Sequence, residues 1–66
     1  MVSMTLKEWS KEVKKALIDQ EKTVAQMSRD LECTTQYVYQ TMGGTEPRQI
    51  MVDRISAYVG IEPIKL

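Results

Sequence analysis

The reading of this chain turns on Thr23 to Gly44, TVAQMSRDLECTTQYVYQTMGG. Thr23-Val24-Ala25-Gln26 has the form of a capping box, in which the threonine hydroxyl takes an orphan backbone N–H of a helix start. Val24, Met27, Ser28 and Leu31 then recur at helical spacing and predict a short helix over about 24–31. Glu32-Cys33-Thr34 breaks the period. Thr34 can cap a further helix through about Met42, ended by Gly43-Gly44. Thr35 to Thr41 is also rich in β-formers, with Gly-Gly behind it like a hairpin turn, so a strand in an α+β winged domain is the rival reading. Pro47 in the proposed return strand argues for the helix, as does the short interval from the capped helix before it. Two steeply crossing helices need a small residue at closest approach, an apolar residue in the turn and another on the second helix. Ser28, Cys33 and Val38 fill these places.

On the N-terminal side, Thr5-Leu6-Lys7-Glu8 is a second capping box. Leu6, Trp9, Val13, Ala16 and Leu17 follow it as an apolar stripe, predicting a helix over about 5–20. Its outer face carries Lys7, Lys11, Lys14 and Lys15 between Glu8 and Glu12, which reads as a solvated surface with local charge pairing. On the C-terminal side, Pro47 suits a first helical turn, and the pattern predicts a helix from there to about Val59. Ile50, Met51, Ile55, Tyr58 and Val59 are its expected inner side, with Gly60 as the stop. The expected layout is a flexible N-terminus over 1–4, one domain over 5–60 and a C-terminal tail over 61–66. The fold class is all-α, with four helices, or five if the tail adds one.

At 66 residues, 42% apolar and 27% charged, the composition is that of one small globular domain. Nine Lys plus Arg balance nine Asp plus Glu, so no strongly basic surface advertises a nucleic-acid partner, although a local patch is still open to it. With no His and one Cys, at position 33, neither a His/Cys zinc site nor an intrachain disulfide can form; no metal or cofactor is expected. A lone thiol fits a reducing cytoplasm. The apolar runs are too short to cross a membrane, and Met1 to Ser10 has no signal-peptide pattern. No His stands ready to activate a hydroxyl and no carboxylate pair stands out, so an enzyme is not expected.

The stretch Thr23 to Gly44 resembles the lambda-repressor-like helix-turn-helix family, of the Cro and phage-repressor type, and the arrangement around it fits that family loosely. Glu32 stands where the family's turn commonly has Gly, Thr41 where an aliphatic residue is common, and Gly43 where Asn is frequent. Glu32 can make the turn if its φ is positive. The resemblance implies a transcription regulator whose second motif helix enters the major groove of double-stranded DNA. With Val38 inward, Thr35, Gln36, Tyr39 and Gln40 face out as base-contacting candidates, and Gln can pair bidentately with adenine. No charged residue lies between Cys33 and Thr45. Lys22 and Arg48, with the amides that open the helix at Thr23 and Val24, are the phosphate candidates. An uncharged Thr/Gln/Tyr face also suits a protein contact, so a protein-interaction module of the same fold is the alternative.

One short recognition helix buries little surface, and relatives pair by two-fold symmetry on inverted-repeat operators. A homodimer is therefore expected, with Tyr58, Ile61, Ile64 and Leu66 as interface candidates because they lie at or beyond the end of the last helix.

Overall fold

The computed structural model describes residues 5–66. The expected flexible segment 1–4 lies outside the described residues. Four helices run in order: α1 Leu6–Asp19, α2 Val24–Asp30, α3 Thr35–Met42 and α4 Gln49–Val59. No strand forms among the described residues, so the strand reading of Thr35 to Thr41 is overturned.

Local chemistry accounts for the starts of the first three helices. Thr5, Thr23 and Thr34 all have extended backbones, and each hydroxyl accepts an amide three residues on: Glu8 at 3.2 Å, Gln26 at 3.1 Å and Tyr37 at 3.1 Å. The Thr34 cap tips Thr35 to Thr41 toward helix despite its β-formers. Helix α4 begins later than its sequence predicts. Its first turn is built on the Arg48 carbonyl, which accepts the Met51 and Val52 amides, and Pro47 precedes that cap.

The helix ends are less regular than glycine placement implies. Gly43 keeps a right-handed conformation, and Gly44, at φ +79°, reverses the chain. Glu21 and Glu32 adopt φ of +56° and +58°. Behind them the Lys22 amide reaches the Leu17 carbonyl at 2.8 Å, and the Cys33 amide reaches Ser28 at 2.9 Å. These are Schellman-type closures with glutamate where glycine is usual.

Trp9, Val13 and Leu17 of α1 meet Met27 of α2, Val38 and Met42 of α3, and Met51, Val52, Ile55 and Val59 of α4 in one core. Ile50, expected inside, is 66% exposed, and Val52 takes the inward place. The buried side of α4 is Met51, Val52, Ile55, Ser56 and Val59, a face that leaves Ile50 outside.

The tail also departs from expectation. Ile64 is 6% exposed and belongs to the core, and Ile61 packs half-buried against it. The Gln49 side chain holds the tail down: Nε2 donates to the Ile64 carbonyl at 2.7 Å and Oε1 accepts the Leu66 amide at 2.8 Å. Ile64 is thus a core residue of its own chain and is not free for a dimer contact. Among the described residues no helix is long and apolar enough to cross a membrane.

Candidate nucleic-acid interface

Helix α3 buries Val38, Thr41 and Met42, which lie together on one side. At 100° per residue the opposite side is centred on Gln36 and Gln40, one turn apart. Thr35, Gln36 and Tyr39 are exposed and Gln40 is half-buried, so all four base-contacting candidates reach the surface of one helix. Val38 and Thr41 point inward as the sequence predicts.

Arg48 lies on one flank. A pocket of about 270 Å³ is lined by Thr34, Gln36, Tyr37, Gln40 and Arg48. The Arg48 guanidinium stands 5.2 Å from the centre of the Tyr37 ring and pairs with Glu46 at 3.2 Å. Tyr37 thus turns Arg48 toward the glutamines, while Glu46 partly neutralises it.

Lys22 lies on the other flank. It lines a pocket of about 410 Å³ with Lys14, Ile18, Thr23, Val24 and Tyr39. Its ammonium sits 4.6 Å from the centre of the Tyr58 ring. The Tyr58 hydroxyl donates to the Asp30 carboxylate. That hydrogen bond, with lesser contributions from burial and from the Asp30 charge, raises the Tyr58 pKa above its ordinary value. Tyr58, an expected interface residue, is thus half-buried and occupied within its own chain. Leu66, at 56% exposed, is the most accessible of the four interface candidates.

Thr23 spends its hydroxyl on the Gln26 amide, leaving the Val24 and Ala25 amides at the opening of α2. Cys33 is a half-buried free thiol under the turn. No cluster of three metal-ligating side chains occurs among the described residues.

Three participants escape the sequence reading. Lys14 joins the Tyr39 flank because α1 packs along α3, a tertiary fact with no local signal. Tyr37 reads only as a semi-apolar helix residue. Glu46 alone of the three carries a local signal, since it stands two residues before Arg48. Comparison of the chain with protein-family models, curated proteins and solved structures finds no match in any of the three.

Proposed function

We propose that this chain is a sequence-specific double-stranded-DNA-binding regulator of transcription, built as a lambda-repressor-like helix-turn-helix domain of the Cro and phage-repressor kind. In this reading α2 and α3 are the motif and α3 lies in the major groove. The supporting observation is the uncharged outward face of α3, with Gln36 and Gln40 at its centre, Arg48 on one flank and Lys22 on the other. Side-chain amides read base edges, and the flanking cations meet the two phosphate walls. The protein works in the cytoplasm as a homodimer on an inverted repeat. Leu66 and the outward Ile50 are among the exposed apolar side chains available for pairing, since Ile64 is committed to the core.

Selection from a random duplex pool, followed by titration of variants at two salt concentrations, tests this. An inverted repeat should be enriched. Gln36→Ala or Gln40→Ala should cost about 1–3 kcal/mol per half-site on that sequence and leave random DNA almost unaffected. Lys22→Ala or Arg48→Ala should weaken both kinds of DNA and reduce the salt slope by about one. A wild type that binds no duplex at low salt would sink the proposal.

A further inference from the structure

Lys7, Lys11 and Lys14 share one face of α1, at spacings of four and three residues. The expected pairing with Glu8 and Glu12 does not form; among the described residues the only ion pair is Arg48 with Glu46. The three lysines instead border a groove of about 530 Å³ between α1 and the end of α3. Half-buried Leu6 contributes carbon surface to it, while Met42 and Ser10, which also line it, are buried, with exposed Gly43 beside them. Lys14 continues into the neighbouring pocket, where Ile18 is 74% exposed. The α1 stripe therefore runs from apolar surface at Leu6, past three cations, to apolar surface at Ile18. Eleven residues of α-helix separate Lys7 from Ile18, roughly 16 Å of length.

We propose that this groove docks an acidic, amphipathic helix of a partner protein, with apolar side chains on Leu6 and Ile18 and carboxylates on Lys7, Lys11 and Lys14. The charge pattern selects an anionic ligand, and the carbon surface selects a peptide over a phosphodiester. Lysine ammoniums hold phosphates as well as carboxylates, so it is the carbon surface of exposed Ile18 and half-buried Leu6, of no use to a phosphodiester, that favours the peptide. Met42 also lies about 140° around α3 from the midline of Gln36 and Gln40, away from a duplex centred on them. A partner helix of about three turns matches the stripe, laying apolar anchors at helical spacing into a groove rimmed by opposite charge.

The test uses the full chain and a displayed library of helical peptides about fourteen residues long. Peptides enriched on the wild type should carry Asp and Glu beside apolar residues spaced three and four apart. In fluorescence anisotropy the best of them should bind Lys7→Gln/Lys11→Gln at least about tenfold more weakly. Amide shifts on binding should centre on Leu6, Ser10 and Gly43. Both lysines are exposed, so the variant's thermal melt should match the wild type and exclude misfolding. Its affinity for random duplex should stay within about twofold of wild type, because Lys7 and Lys11 line neither pocket beside the α3 face. Failure to enrich acidic peptides, or peptide affinity unaltered by the two substitutions, overturns the proposal. So does a loss of duplex affinity with a shallower salt slope, which would give the stripe to phosphates. Peptide binding is measured without DNA, so failure of the DNA-binding reading leaves this result separately readable.

Discussion

Glu21 and Glu32 hold the left-handed conformation that closes α1 and α2. An L-residue is strained there by about 1–2 kcal/mol, glycine is not, and a carboxylate at a helix C-terminus opposes the helix dipole. Glycine's greater freedom in the unfolded chain offsets about 0.5–1 kcal/mol of that gain. Glu21→Gly and Glu32→Gly should each stabilise the fold by about 1 kcal/mol, seen as a rise in Tm of roughly 7 °C. The two closures are separate, so the double variant should add the two increments. A lower Tm for either would mean that the glutamate contributes something the backbone geometry does not account for. Thr41 is a second residue at odds with its place. It is wholly buried, and its hydroxyl reaches the Tyr37 carbonyl at a long 3.3 Å. Thr41→Val exchanges that weak back-bond for apolar burial and should gain about 1 kcal/mol in a thermal melt. A clear loss would show that the hydroxyl bond outweighs the methyl.

Between elements, the most consequential polar contact is inside the core. Trp9 Nε1–H donates to Ser56 Oγ at 2.8 Å, joining α1 to α4 where both side chains are buried. Ser56→Ala leaves the indole N–H without an acceptor and should destabilise the domain by about 1–3 kcal/mol in denaturant unfolding, with a shifted tryptophan emission in the folded state. Unchanged stability would require water to reach the indole. Arg54 adds a second link by donating to the Leu31 carbonyl at 2.6 Å, tying α4 to the end of α2. Gln20 adds a third, donating to the Val59 carbonyl at 2.8 Å and joining the two helix ends. The α3 presentation thus rests on a frame fixed on several sides.

At the scale of the whole molecule, a neutral chain must gather its few cations where they count. Arg48 stands beside the α3 face but is held by Glu46, with both side chains about half exposed. If the face meets DNA, Glu46→Gln releases Arg48 and removes a repelling carboxylate. Affinity for random duplex should then rise a few-fold, and the salt slope should steepen by about one. An unchanged slope in salt titrations would remove Arg48 from the phosphate contacts. The tail belongs to the same scale: because Ile64 fills the core and Gln49 clamps its backbone, the segment after Gly60 is part of the domain.

The sequence by itself determined what depends on neighbours along the chain. Threonine caps at 5, 23 and 34 set three helix starts, the inward places of Val38 and Thr41 followed from period, and the departure at Glu32 pointed to its positive φ. These are interactions over three to five residues, whose partners can be counted off directly. Only the tertiary structure decided which apolar residues at the margins were needed. Ile50 and Ile64 are equally hydrophobic, but α4 turns the first outward and the fold-back of the tail covers the second. The lysines of α1 became one side of a groove for the same reason, since only packing against α3 supplies the other side. Burial and proximity across the chain arise from the joint packing of all four helices, and no local pattern carries them.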